Sequence, residues 1–218
     1  MISHTEENYL KAMFGFMDEQ GEITVNELSK HLSIKMPTVN GMMKRLSEKG
    51  LVHYESYKPL KLTEEGKKLA ALVIRKHRLT EMYLVEKMGF GWEEVHIIAE
   101  QIEHIQSPEF FDKMDELLGY PQHDPHGSPI PDKGGKIKSR KLVRLAECAP
   151  EDTVILAAIA DSSEELLKFL NHRNLKLGTE LTVESIESFD KSMVIKTSTD
   201  KSQVLSNLVT EKLLMEKE

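Results

Sequence analysis

Residues 24–62 read TVNELSKHLSIKMPTVNGMMKRLSEKGLVHYESYKPLKL, and the division of this stretch into elements decides the fold of the first third of the chain. Thr24 is an N-cap, and Glu27 three residues on completes a capping box for a short helix to about Leu32. Ser33 to Met36 form a turn. Pro37 suits the first position of a second helix, which runs to Lys49 and stops at Gly50. Its apolar residues Val39, Met42, Met43 and Leu46 fall on one face. Leu51 to Tyr54 and Leu60 to Leu62 are short extended runs around a turn at Tyr57-Lys58-Pro59. Thr63 then caps a further helix whose positive first turn holds Glu64 and Glu65. Helix, tight turn, helix and two-stranded ribbon is the order of a winged helix-turn-helix.

Upstream, Leu10, Met13, Phe14 and Met17 predict a helix over Tyr9 to Met17. Downstream, the helix from Thr63 extends to about Met88, followed by helices over Trp92 to Ser107 and Pro108 to Leu118. Gly119 to Gly135 is rich in Pro, Gly, Ser and Asp and reads as an ordered loop. After Lys136 the pattern becomes that of strands: Lys141 to Cys148, Thr153 to Ala160, Glu180 to Ile186 and Met193 to Thr199, with a helix at Ser163 to Asn171. The expected class is mainly α with a β-rich tail that forms a small barrel. Three domains are expected: the winged helix-turn-helix over 1–75, a helical domain over 76–135, and a β domain over 136–218.

The longest purely apolar run, Val154 to Ala160, is far short of the ~20 residues that a membrane-spanning helix needs. The first ten residues lack the basic-then-apolar order of a signal peptide. A single cysteine, Cys148, excludes an internal disulfide framework, and together these features predict a cytoplasmic protein. The net charge of −7 argues against indiscriminate nucleic-acid binding, but the charge is partitioned. Lys35 to Lys76 holds ten Lys/Arg against four Asp/Glu, whereas His77 to Pro131 holds three against eleven and five of the nine histidines. The first window suits an anionic partner and the second a cation.

On the helix that Pro37 starts, inward packing of the apolar face turns Thr38, Asn40, Gly41, Lys44 and Arg45 outward. Asn can pair with both edge groups of an adenine, and Thr can meet a thymine methyl or a phosphate. Lys35, Lys44, Lys58 and Lys61 would neutralise phosphates, which gives affinity without sequence information. Gly41 would let the helix backbone approach the duplex most closely.

His77 and Glu81 lie four apart on one predicted helix, and His96, Glu100, Glu103 and His104 share a face of the next. Facing carboxylates and imidazoles repel unless a positive charge stands between them, and a divalent transition metal supplies it. Nitrogen and oxygen donors without thiolate favour Mn(II), then Fe(II), over structural zinc. Asp124 and His126, in a Gly/Pro-constrained loop, can cap such a cluster or serve only as turn residues. No HExxH, GxSxG, P-loop or GxGxxG pattern is present, and no enzymatic activity or small organic substrate is expected.

At these residues the chain resembles the diphtheria-toxin-repressor and manganese-transport-regulator family. The matching stretches are Glu6-Glu-Asn-Tyr-Leu10, Met36-Pro-Thr-Val39, Lys49-Gly-Leu51, Leu62-Thr-Glu-Glu-Gly66, Arg75-Lys-His-Arg-Leu79 with Glu81, Glu103-His104 and Asp124-Pro-His-Gly-Ser-Pro-Ile-Pro131. The tail resembles the SH3-like (FeoA-like) third domain of longer members. The resemblance implies a homodimeric, metal-dependent repressor of metal-ion uptake genes, bound to a double-stranded operator, with two metal sites per subunit. By position, one site would use Glu100, Glu103 and His104 with Asn8. The other would use His77, Glu81 and His96, or Glu81 with Asp124, His126 and Asp161. Glu100 stands where iron-responsive members carry cysteine, Asn8 where members carry Met or Asp, and Lys11 where two-domain manganese members carry Glu.

The expected mechanism is that metal joins the helix of residue 8 to that of Glu103 and fixes the spacing of two reading helices on a dimer. Two other classes stay open on the residues alone: a metal-independent winged-helix regulator, and a metalloenzyme built on the His/Glu cluster.

Overall fold

The computed structural model describes residues 2–18, 20–197 and 202–217. Two compact units are present: one comprises Met1–Thr80, Ala99–Tyr120 and Ile130–Lys138, the other Glu81–Ile98, Pro121–Pro129 and Ser139–Glu218.

The first unit begins with α1 (His4–Phe16), which starts five residues before the expected Tyr9. Its signal is a second capping box: the Ser3 side chain accepts from the Glu6 N–H, and Glu6 returns to the Ser3 backbone. α2 (Val25–Leu32) carries the predicted Thr24–Glu27 box, and Ser33 turns the chain in the left-handed region at φ 54°. α3 (Met36–Glu48) follows, with Pro37 in its first turn. β1 (Val52–His53) and β2 (Lys61–Leu62) pair antiparallel with Val52 opposite Leu62. Thr63 Oγ1 accepts from the Gly66 N–H at the start of α4 (Glu64–Met88) and donates to the Gly50 carbonyl. The shared core takes Leu10 and Met13 from α1, Leu28 from α2, Val39, Met43 and Leu46 from α3, and Leu60 and Leu62 from the ribbon. Each such fully buried side chain contributes about 1.5–3 kcal/mol. This core sets the outward face of α3.

α5 (Val95–Ile102) is much shorter than the expected Trp92-to-Ser107 helix. At its front, residues 91–94 form a turn in which Glu94 accepts from the Gly91 N–H. Behind it, Ser107 is spent as the N-cap of α6 (Pro108–Leu117), accepting from the Phe110 N–H.

In the second unit a six-stranded antiparallel sheet, ordered β3-β8-β4-β5-β6-β7, makes the SH3-like part. Its members are β3 (Val143–Arg144), β4 (Thr153–Ile159), β5 (Glu180–Ile186), β6 (Met193–Thr197), β7 (Ser202–Leu205) and β8 (Leu213–Lys217). The expected strand over Lys141 to Cys148 is corrected. After two residues of β3 the chain enters a 3-10 turn, Leu145–Glu147, closed by the Cys148 N–H on the Leu145 carbonyl. Leu145 and Cys148 are both buried, and a spacing of three suits that turn, not a pleat. β7, α8 (Asn207–Thr210) and β8 had no counterpart in the expected elements. Residues 198 and 199 of the expected fourth strand lie outside the described residues. α7 (Glu164–His172) seals the core with Leu166, Leu167 and Leu170 against Leu156, Val183 and Ile195.

Candidate metal centre and nucleic-acid interface

Burial of Val39, Met43 and Leu46 leaves Lys35, Pro37, Thr38, Gly41 and Lys44 of α3 exposed, with Asn40 half-buried. The Tyr54 hydroxyl, from the ribbon, donates to Asn40 Oδ1 at 3.4 Å, a long contact that steadies the amide. Two of the expected phosphate-binding lysines already have partners: Lys58 meets Glu55 at 2.8 Å and Lys61 meets Glu22 at 2.7 Å. Duplex phosphates would have to displace these exposed pairs, at little cost. At the far end of α3, Arg45 and Lys49 converge on Glu6 of α1, at 2.9 and 2.7 Å. Burial raises the pKa of Glu6, but Lys49 and the Ser3 backbone outweigh it and bring the net value down to about 2.

Each unit brings together some of the residues expected to bind metal. In the first unit, α1 presents Glu7 and Lys11, four apart, to α4 and α5. His104 Nδ1 is 2.6 Å from Glu7 Oε2, and His77 Nδ1 is 2.5 Å from Glu103 Oε2. The Lys11 ammonium donates to both Glu103 oxygens, at 3.0 and 2.7 Å, and lies 3.6 Å from Glu100. Burial opposes ionisation of Glu103, which is 1% exposed, yet His77 and Lys11 prevail and hold its pKa below the ordinary value. Asn8 does not join this cluster. One residue along the helix from Glu7, it is rotated by about 100° and points to solvent. It is Glu7, not singled out in the sequence, that meets His104 from α1. Sequence reasoning missed it, although the Ser3–Glu6 box was the signal that starts α1 early enough to align Glu7 with Lys11.

In the second unit, Glu81, Asp124 and His126 are all buried, and each offers a ligand atom within 4.8 Å of the others. Asp124 Oδ1 accepts from the His126 and Ser128 N–H groups, at 2.8 and 2.9 Å, which orients the carboxylate. His126 Nε2 is 2.8 Å from the Trp92 carbonyl. A carbonyl can only accept, so Nε2 carries the hydrogen and the neutral ring keeps its lone pair on Nδ1, 3.6 Å from Glu81. Burial lowers the pKa of His126, but Glu81 and Asp124 more than offset it, and the net shift is upward. His96, half-exposed, places Nδ1 3.4 Å from Glu81. Asp161 is drawn off to Lys212 and accepts from the Ser163 N–H. Among the described residues, Glu100, Glu103 and His104 do not bring three ligand atoms together in the way that Glu81, Asp124 and His126 do. Two buried carboxylates beside an imidazole with a fixed lone pair form a donor set that fits a divalent transition-metal ion.

Family models match most of the chain: "Iron dependent repressor, N-terminal DNA binding domain" over residues 1–60, "Iron dependent repressor, metal binding and dimerisation domain" over 63–132, and "FeoA domain" over 143–217. The chain is 32% identical over 170 residues to the iron-dependent repressor IdeR of Mycobacterium leprae, spanning 74% of this chain and 73% of that protein. It is 34% identical over 131 residues to the diphtheria toxin repressor of Corynebacterium glutamicum, spanning 60% of this chain and 57% of that protein. Among solved structures, a manganese-dependent transcriptional repressor in complex with manganese superposes with a TM-score of 0.88 at 26% identity, over 98% of this chain and all of the other. The repressor ScaR with bound cadmium gives 0.81 at 30% identity, over 98% and 99%.

Proposed function

Because the chain belongs to the iron-dependent repressor family and is a metal-dependent transcriptional repressor, we propose that Glu81, Asp124 and His126 hold the divalent ion that licenses operator reading by α3. The family consists of DNA-binding repressors, which sets the metalloenzyme reading aside. The observation that carries the proposal is the convergence of three buried donors, two of them carboxylates, within 4.8 Å. Groups of this kind are costly to bury together unless a cation joins them. When bound, the ion supplies the positive charge that lets Glu81 and Asp124 stay ionised side by side. Trp92, through its carbonyl, keeps the His126 lone pair directed at the site, and the Ser128 N–H holds Asp124 in place. His96, with Nδ1 3.4 Å from Glu81, is a further donor beside it.

The donors are oxygen and imidazole nitrogen, and Cys148 is buried with its sulfur toward the Arg144 carbonyl. This chemistry supports Mn(II) first and Fe(II) second. The DNA partner is a two-fold operator read by a homodimer. Thr38, Asn40 and Gly41 face bases, while Lys35, Lys44 and Lys58 face phosphates. Target promoters are those of metal-uptake genes.

Calorimetric titration of Mn(II) into the double variant Asp124→Ala/His126→Ala tests the site. Loss of the binding event seen in the parent chain is expected. An unchanged isotherm would assign metal elsewhere and reduce the loop to a turn.

A further inference from the structure

Lys11 reaches from α1 to the carboxylates of Glu100, on α5, and Glu103, just past its end. Its ammonium is hydrogen-bonded to both oxygens of Glu103, lies 3.2 Å from His77 Nδ1, and stands 3.6 Å from an oxygen of Glu100. A carboxylate as deeply buried as Glu103 needs a counter-charge that stays with it. The groups around Lys11 Nζ are two carboxylates and an imidazole, the donor types that divalent transition metals take. An ammonium meets them as a singly charged hydrogen-bond donor on a covalent tether, and no chelator can remove it.

We propose that Lys11 is a resident cation that closes this cluster in place of a metal ion, so that metal control passes through Glu81, Asp124 and His126 alone. The second half of this inference rests on the reading of that trio as the metal centre. Glu7 and Lys11 lie on one face of α1 and bind it to α4 through His77 and to the turn just after α5 through Glu103 and His104. Glu6, on another face, binds α1 to Arg45 and Lys49 at the end of α3. The helix that steadies the reading helix is therefore fastened at both sides by charges of the chain itself. A divalent ion entering at Glu103 would have to break the hydrogen bonds of Lys11 and stand beside its like charge.

The test is the amount of Mn(II) bound per subunit at saturation, by equilibrium dialysis with elemental analysis. It compares the full-length chain, Lys11→Glu, Asp124→Ala/His126→Ala and the triple variant. Removing the ammonium and adding a carboxylate turns the cluster into a metal site, so the expected values are one, two, none and one. A parent value of two, or no gain on Lys11→Glu, overturns the inference about Lys11. A parent value of none with one in Lys11→Glu upholds Lys11 as the resident cation and removes the metal-centre reading instead. Lys11→Gln guards against a failure of Lys11→Glu to fold. Its melting temperature should rise on adding excess Mn(II) by at least about 2 °C more than that of the parent chain. An equal rise in the two proteins counts against the proposal.

Discussion

Glu6 shows what one buried carboxylate does for the reading helix. Its ordinary pKa of 4.5 falls to about 2, because Lys49 and Ser3 stabilise the charged form more than burial penalises it. A group whose pKa is lower in the folded chain stabilises the fold fully above its unfolded value and loses that contribution as pH falls through the folded value. Glu6→Gln should therefore destabilise the protein by roughly 1–3 kcal/mol at pH 7. The deficit against the parent chain should shrink between about pH 4.5 and pH 2, in denaturant melts at stepped pH. A constant deficit across that window would deny Glu6 its charged role. On α3, Lys44→Ala should weaken binding to all duplexes and reduce the salt slope by about one unit. Asn40→Ala should cost on the order of 1–3 kcal/mol on operator and little on scrambled DNA. Equal losses of Asn40→Ala on both duplexes, over a salt series with metal saturating, would make Asn40 a positioning group. The types of the site residues were legible in the sequence; their partners were less so. His77, Glu81, Glu103, Asp124 and His126 stand out as buried polar groups, but Glu7 reads as one more helix acid. Asp161 could not be seen to belong to Lys212, which lies far along the chain.

The element that positions the second cluster is the loop that carries Asp124 and His126. It is fixed from both sides: the Ile159 N–H donates to the His126 carbonyl, and Arg140 donates to the carbonyls of Gly127 and Ala157. Gly127 takes φ +85°, and a Cβ there would strike the Ala157 carbonyl and come 2.7 Å from Ala158 Cβ. Gly127→Ala should push the loop from β4 and lower Mn(II) affinity by about 10- to 100-fold, the range for a disturbed support of a metal ligand. Calorimetry showing parent-like affinity would mean that the loop's seat on β4 does not govern the site. Elements with local signals were readable: the Thr24–Glu27 box, Pro37, and the apolar stripe of α3. Elements that depend on distant pairing were not. β8 is a central strand of the sheet, between β3 and β4, yet Leu213 to Lys217 carries too short a pattern to announce itself. α5 was overextended because Trp92 and Ser107 continue its apolar and polar rhythm, while the turn at Gly91 and the cap of α6 claim them instead.

At the scale of the whole molecule the partition of charge matches the partition of tasks. The basic window contains the exposed residues of α3 and the ribbon, and the acidic, histidine-rich window contains Glu81, Asp124 and His126 together with the Glu100, Glu103 and His104 that face α1. Among the described residues no helix is long and apolar enough to cross a membrane. Family membership makes the chain a metal-dependent repressor. On the proposed reading, operator binding depends on a cation at Glu81, Asp124 and His126, and Lys11 closes the other cluster. The most direct test is fluorescence anisotropy on a duplex selected for binding to the Mn(II)-loaded protein, titrated with protein in excess Mn(II) and again in chelator. The parent chain should lose at least about 100-fold in affinity in chelator, a coupling of roughly 3 kcal/mol. Asp124→Ala/His126→Ala should bind weakly in both conditions. Equal affinity of the parent chain with and without Mn(II) would contradict the account.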